Sequence, residues 1–181
     1  MNIINFQPNT NLGSRIIELE SKMNFQLPSD YFKFITSTNG GLTDNVNNFF
    51  CKDQIKIVGD IPYKLEALFG FLNEGDENYE SYNIEKVNAK FKNQLPIDVL
   101  LVGKLVNDGY LAITLSNPKD YVYVWDTKFL KNLTMEVKLN ESKYPHIKDD
   151  QNLHERGVVL NSFAFVSTDI SKFIYSLYAN F

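Results

Sequence analysis

Three strand-like runs joined by two tight turns constrain the fold more than any other feature of this sequence. The run Val99–Val106 is separated from Tyr110–Leu115 by the turn Asn107-Asp108-Gly109. Asp-Gly between two β-rich runs is a strong hairpin signal, because glycine adopts positive φ without strain. A second turn at residues 117–120 leads to Tyr121–Trp125, whose aromatic and β-branched side chains suit a pleated sheet. The sequence therefore predicts a three-stranded antiparallel meander.

Four further segments have strand-like patterns. The mostly apolar run Leu65–Phe71 is typical of a buried strand, whereas Ile55–Val58 alternates only weakly between apolar and polar residues. Leu133–Leu139 alternates more clearly, and Val158–Val166 is rich in β-branched and aromatic residues. We therefore expect additional strands on both sides of the meander.

Three segments before the meander have helical periodicity. In Asn11–Met23 and again in Tyr82–Asn93, apolar residues recur at the spacing of one helix face. Leu95-Pro96 ends the second of these, because the residue before a proline disfavours helical geometry. Between them, a shorter helix is predicted from Ser29 to the sequence Asn39-Gly40-Gly41.

The residues at both ends of this short helix set its boundaries. Pro28 fixes the start, Ser29 is a candidate N-cap, and Asp30 complements the helix dipole. The helix is expected to end at Asn39-Gly40-Gly41, because glycine readily takes the left-handed geometry that closes a helix.

A final amphipathic helix follows the last strand-like run. Ser167 or Thr168 is expected as its N-cap, with Asp169 in the first turn. Its apolar face consists of Ile170, Phe173, Ile174, Leu177, Tyr178 and Phe181. Together, the segments predict an α+β fold in which helices pack around an antiparallel sheet of about five to six strands. At 181 residues, we expect one domain spanning residues 1–181.

The charge and cysteine content exclude several classes of protein. A net charge of -4 and a pI near 5.2 argue against a protein that binds nucleic acid directly by neutralising phosphates. Cys51 is the single cysteine, so no internal disulfide can form. The first 15 residues lack the pattern of a signal peptide, and no stretch has the apolar length of a membrane span. We therefore expect a cytoplasmic protein that does not bind membranes.

The reactive residue types do not form a pattern that predicts catalysis. His146 and His154 lie eight residues apart in a polar stretch, a spacing that provides no convergent metal geometry. No serine lies in a Gly-x-Ser-x-Gly elbow, and Cys51 follows Phe49 and Phe50, which suggest apolar surroundings. We expect no metal, no cofactor and no enzymatic activity.

Two features are candidates for contact with a partner. The first is a run of carboxylates formed by Glu74, Asp76, Glu77 and Glu80. It is either an ordinary solvated loop or an acidic surface that steers a basic partner. The second is Trp125 with Asp126, where the tryptophan is either a half-buried core residue or an exposed recognition residue.

The order of these motifs resembles that of the SUKH superfamily, the Smi/Knr-type proteins. The resemblance begins with a proline-started helix closed by Asn-Gly, carried by Leu27, Pro28, Asp30, Tyr31, Phe34, Asn39, Gly40 and Gly41. It continues through Pro96, Asp108-Gly109, the Val122–Asp126 segment, and the strand at Phe163 that leads to the helix containing Phe173. The segments 45–52 and 127–157 depart from the shorter members of the family.

The resemblance implies a SUKH-like protein-interaction fold in which these motif residues have structural roles. Bacterial members are typically immunity proteins that bind a cognate polymorphic or contact-dependent toxin domain, and fungal members regulate cell-wall glucan synthesis. We therefore expect a non-enzymatic protein that neutralises a toxin domain. The alternative is a regulatory or scaffolding adaptor that binds an endogenous protein. Fold resemblance alone does not establish either function.

Overall fold

The computed structural model describes residues 3–7, 9–43, 48–49, 63–106, 109–116, 120–125 and 163–179. The strands within them are β1 (Ile3–Asn5), β2 (Gly41–Thr43), β3 (Asn48–Phe49), β4 (Tyr63–Leu68), β5 (Val99–Leu105), β6 (Tyr110–Thr114), β7 (Val122–Trp125) and β8 (Phe163–Ser167). The helices are α1 (Leu12–Met23), α2 (Ser29–Thr38), α3 (Tyr79–Tyr82), α4 (Ile84–Phe91) and α5 (Ile170–Ala179). The predicted α+β class is confirmed.

The strands form one antiparallel sheet in the order β1-β2-β4-β5-β6-β7-β8, and β3 pairs with β4 outside this path. The predicted meander is present as β5, β6 and β7, with Leu101 opposite Ala112 and Tyr110 opposite Trp125. The sheet has more strands than the five to six expected. The additional strands β1, β2 and β3 have two or three residues each, too few to show a period in the sequence.

Two predicted boundaries change on either side of the connection between β4 and β5. β4 ends at Leu68 rather than Phe71, because Gly70 leaves the sheet and its main chain bonds to the junction of α3 and α4. Gly70 N donates to Tyr82 O (3.1 Å), and Ile84 N donates to Gly70 O (2.9 Å). α4 begins at Ile84 rather than Tyr82, because Asn83 is extended and its side chain caps Lys86 N.

The caps of the two family-motif helices also differ from the prediction. Pro28 holds the N-cap position of α2, and Ser29 is its first helical residue. At the other end, Asn39 rather than a glycine takes the first left-handed position, with φ 54°. In α5, Asp169 is the cap: its carboxylate accepts from Ser171 N (2.8 Å) and from Lys172 N (3.1 Å).

Several predictions lie outside the described residues. They include the strands Ile55–Val58 and Leu133–Leu139, the turn residue Asp108, Cys51, His146, His154 and Asp126. On α5, Ile170, Phe173 and Ile174 are buried as expected, and the side chains of Leu177, Tyr178 and Phe181 are not among those described.

Helix α4 completes the sheet beside the first half of β5. β4 pairs with β5 only over Gly103–Leu105, so no described strand lies beside Leu101 on that side. The Asn88 side chain occupies this place: its Oδ1 accepts from Leu101 N and its Nδ2 donates to Leu101 O, both at 2.9 Å. This two-bond contact fixes α4, and with it the chain that leads into α4, against the sheet.

Replacing Tyr31 with phenylalanine should raise the free energy of unfolding at pH 7 by about 1 kcal/mol. Tyr31 is fully buried, and its hydroxyl has no hydrogen-bond partner in the described structure. Burial raises the pKa of the Tyr31 phenol above its usual 10.0, so the unfolded chain loses this proton first. Stability from this group is therefore complete below pH 10 and falls as the pH rises beyond it.

Urea unfolding at pH 7 and pH 10.5 checks this expectation. The Tyr31→Phe variant should be more stable than wild type at pH 7 and should lose less stability at pH 10.5. Tyr82→Phe is the matched control, because the Tyr82 hydroxyl donates to Glu66 Oε1 at 2.5 Å and its loss should destabilise. If the Tyr31→Phe variant were less stable than wild type at pH 7, the Tyr31 hydroxyl would have a hydrogen-bond partner after all, which would contradict this account.

Candidate protein-interaction surface

Residues 73–80, which we call the acidic loop, run from the end of the β4 segment into the first two residues of α3. The loop closes on itself through Asn73 and Asp76: Asn73 N donates to Asp76 Oδ2 (2.7 Å), and Asp76 N donates to Asn73 O (3.0 Å). Gly75 provides the positive φ of 98° that this turn requires. The loop is therefore a compact turn, and Asp76 shapes it.

All four carboxylates predicted as a candidate surface are exposed, namely Glu74, Asp76, Glu77 and Glu80. The Glu80 carboxylate pairs with Lys86 Nζ at 3.2 Å, and this hydrogen bond raises the pKa of Lys86. Within the described part of the chain, the other three carboxylates have no ion-pair partner. Their negative charge is therefore presented to solvent.

The acidic loop carries four carboxylates within eight residues and no basic side chain. Only the Glu80 carboxylate has an ion-pair partner in the described structure, so the loop has a local excess of negative charge. Such an excess attracts a partner of opposite charge.

Three asparagines hold the chain segment that precedes the acidic loop. Asn39 is buried: its Oδ1 accepts from Phe71 N (2.8 Å), and its Nδ2 donates to Gln7 O (2.9 Å). Asn83, also buried, donates to Leu72 O at 2.8 Å. Asn9 Nδ2 donates to Phe71 O at 3.1 Å. These bonds satisfy main-chain groups that have no strand partner, so the base of the loop is fixed.

Arg15 of α1 adds a charged anchor at the same place. Its guanidinium donates to Leu72 O (2.9 Å), forms an ion pair with Glu85 of α4, and lies over the Phe71 ring at 5.4 Å. The sequence analysis assigned no role to Asn9, Arg15 or Asn83. Only Asn83 had a local signal, because an asparagine directly before an apolar-periodic run is typical of an N-cap.

The alternative of Trp125 as an exposed recognition residue is wrong. Its side chain is only 2 % exposed, and its ring contacts those of Phe91 (5.2 Å) and Tyr110 (5.7 Å). All four residues of β7 are buried, which leaves no face of this strand for a partner. Asp126 lies outside the described residues.

The first group of family-motif residues lies at the start of α2. Leu27 is buried and its N–H donates to Glu20 Oε1 (2.8 Å). Asp30 is exposed, and its hydrogen bond with Lys33 (3.1 Å) lowers the pKa of the carboxyl. Tyr31 and Phe34 stack with ring centroids 6.2 Å apart. Pro28 is buried beside them.

The remaining motif residues close turns or pack in the core. Gly40 has φ 75°, and a Cβ there would lie 2.5 Å from the carbonyl oxygens of Leu68 and Phe69. Gly41 begins β2, opposite Leu68. Gly109 O accepts from Leu105 N (2.9 Å) and so closes the β5–β6 connection. Phe173 is buried in the core.

Neither a metal cluster nor a membrane-spanning helix is present among the described residues. No group of three or more His, Cys, Asp or Glu side chains there is arranged to hold a metal ion. No helix in that part of the chain is long and apolar enough to cross a membrane.

Comparison of the sequence with known protein families identifies the family of this chain. The sequence model of the SMI1 / KNR4 family (SUKH-1) matches residues 13–150. The chain belongs to this family. The matched region contains α2 with its Asn39-Gly40 end, the acidic loop and the β5–β7 meander, so the SUKH resemblance is confirmed. No curated protein matches the chain.

Proposed function

We propose that this SMI1/KNR4-family protein is a cytoplasmic immunity protein that binds and neutralises a cognate toxin domain. Binding is stoichiometric and uses shape and charge, without a cofactor, a metal or catalytic turnover. The observation that carries the proposal is the acidic loop, which presents on a fixed base three carboxylates that have no ion-pair partner among the described residues. An interaction fold with one concentrated charged surface suits recognition of a partner of opposite charge.

The chemistry of the partner follows from this surface. Toxin domains that cleave nucleic acid need a basic surface to bind phosphates. A rigid acidic loop attracts such a surface over a distance and, once bound, covers the site that the nucleic acid would occupy. The asparagine contacts already hold the base of the loop in the free protein. Ordering the loop on binding therefore costs little conformational entropy.

Reversing two charges of the acidic loop, in the variant Glu74→Lys with Glu77→Lys, tests the steering role. Asp76 is kept because it shapes the turn, and Glu80 is kept because it pairs with Lys86. The partner is the toxin domain that the proposal expects a neighbouring reading frame to encode. The association rate at low salt should fall at least about tenfold, and the difference from wild type should shrink in high salt.

The matched control is Glu18→Lys with Asp30→Lys, which changes the net charge equally. Both residues are exposed: Glu18 pairs with Lys22, and Asp30 pairs with Lys33 and accepts a hydrogen bond from the Ser171 hydroxyl. Such surface contacts add little stability. The control should leave the association rate within about twofold of wild type. Equal rates for wild type and the loop variant at both salt concentrations would reject the steering role.

A further inference from the structure

A groove of about 780 Å³ lies between α1 and α4, and we call it the α1–α4 groove. The buried residues that line it form its floor and are all apolar, namely Leu19, Leu95, Pro96 and Val99. A groove of this size with an apolar floor can bury part of a bound molecule.

Ile97 extends this apolar surface into solvent. It lines the groove, and 67 % of the residue is exposed. Val99 N donates to Pro96 O (3.2 Å) and closes a turn that contains Ile97. The next residue, Asp98, is buried, and its carbonyl accepts from Leu115 N (2.8 Å), so the turn is fixed to the chain that follows β6. Ile97 therefore cannot withdraw into the core, and with the floor it forms an apolar patch of the kind that marks interaction sites.

Four charged side chains line the groove, and three of them already have ion-pair partners. The three pairs are Glu85 with Arg15, Lys22 with Glu18 (2.7 Å) and Lys86 with Glu80 (3.2 Å). The fourth, Lys92, is exposed and forms no ion pair with any described residue. The groove thus combines an apolar floor with one unpaired positive charge.

The groove is continuous with the acidic loop. Tyr79 belongs to the loop and also lines the groove, where Lys86 Nζ lies over its ring at 5.5 Å. A stable protein interface buries about 800 Å² on each partner, more than a loop of eight residues offers. A protein domain bound to the acidic loop therefore also covers the groove.

We propose that the toxin domain lays an amphipathic segment in the α1–α4 groove, with its apolar face against Ile97 and the floor and a carboxylate on Lys92. Burial of apolar surface drives the association of an apolar face with such a groove. The unpaired charge of Lys92 selects a carboxylate beside that face. This inference rests on the proposed function and adds a second contact, opposite in charge to that of the acidic loop.

The variant Ile97→Ser tests the apolar part of this contact, and Ile17→Ser is its matched control. Ile17 lies on α1, is also 67 % exposed and does not line the groove. The ligand is a catalytically inactive form of the toxin domain that a neighbouring reading frame is expected to encode. Titration calorimetry should show at least about tenfold weaker binding for Ile97→Ser, and Ile17→Ser should stay within about twofold of wild type.

The variant Lys92→Glu tests the charged part, and Lys64→Glu is its matched control. Lys64 lies on β4, is exposed, forms no ion pair with a described residue and does not line the groove. Lys92→Glu should weaken binding about tenfold at low salt and less at high salt, because salt screens the charge. Lys64→Glu should stay within about twofold of wild type at both salt concentrations. The loss caused by Ile97→Ser should be the same at both.

Thermal unfolding first establishes that all four variants fold. Absence of wild-type binding to the toxin domain would overturn the proposed function, and the inference with it. Wild-type binding that Ile97→Ser and Lys92→Glu leave within twofold would overturn the inference alone. Sedimentation of the free wild-type protein should show a monomer. A wild-type dimer that Ile97→Ser dissociates would assign the groove to a second copy of this chain and would also overturn the inference.

Discussion

Gly70→Ala is expected to destabilise the protein by at least about 4 kcal/mol, or to prevent folding altogether. A Cβ at this position would overlap the carbonyl oxygen of Asn39 and approach the Phe6 ring to 3.0 Å. Gly70 cannot move away easily, because its N–H and C=O bond to Tyr82 O and Ile84 N. Urea unfolding measures the loss, or expression yield does if the variant is insoluble.

Gly13→Ala is the matched control for this prediction. Both substitutions add one methyl group at a glycine, but at Gly13 the methyl meets no atom within 4 Å. In a helix, replacing glycine with alanine should even raise stability by up to about 1 kcal/mol. If Gly70→Ala had wild-type stability, the close approach between the end of α2 and the base of the acidic loop would be wrong.

Asn39→Ala should lower the free energy of unfolding by about 3 kcal/mol, because it leaves buried main-chain groups unpaired. The Asn39 side chain bonds to Phe71 N and to Gln7 O, and only 3 % of the residue is exposed. Alanine also fits the left-handed conformation of this position less well. Urea unfolding of the purified variant provides the measurement.

Asn24→Ala separates the loss of buried hydrogen bonds from the cost of placing alanine in the left-handed conformation. Asn24 ends α1 in nearly the same left-handed conformation, with φ 57° against 54° for Asn39, but it is exposed and none of its side-chain atoms is hydrogen-bonded in the described structure. Its replacement should cost only about 1 kcal/mol, the conformational part of the effect. Equal losses for Asn24→Ala and Asn39→Ala would mean that the buried bonds of Asn39 contribute nothing.

The meander and the amphipathic helices were predictable because their signals are local. The turn at Gly109 and the β-rich runs on both sides specify β5 and β6. In α1 and α5, the apolar period alone identifies the helix and its buried face. Each of these signals lies within fewer than about 20 consecutive residues, so no tertiary information is needed.

The base of the acidic loop was not predictable for a physical reason. The run Leu65–Phe71 is mostly apolar because every residue except Glu66 is buried, and burial is the same in a strand and in an irregular segment. What ends β4 at Leu68 is a set of contacts with residues distant in sequence, Asn39 and Tyr82. A single sequence does not show such contacts.

In the candidate site, too, features that depend on local sequence were predictable, and features that depend on tertiary contacts were not. The exposure of the four carboxylates follows from their density in sequence, and the structure confirms it. The position of Trp125 depended on whether one face of β7 is free, and all four β7 residues are buried although successive side chains point to opposite faces.

Titrating a fixed amount of the toxin domain, which the proposal expects a neighbouring reading frame to encode, with this protein tests the central claim most directly. If the protein is a stoichiometric inhibitor, toxin activity should fall linearly and reach zero at one molar equivalent. Complete inactivation by a small fraction of an equivalent would indicate an enzyme. Undiminished toxin activity at a large excess would contradict the immunity function itself.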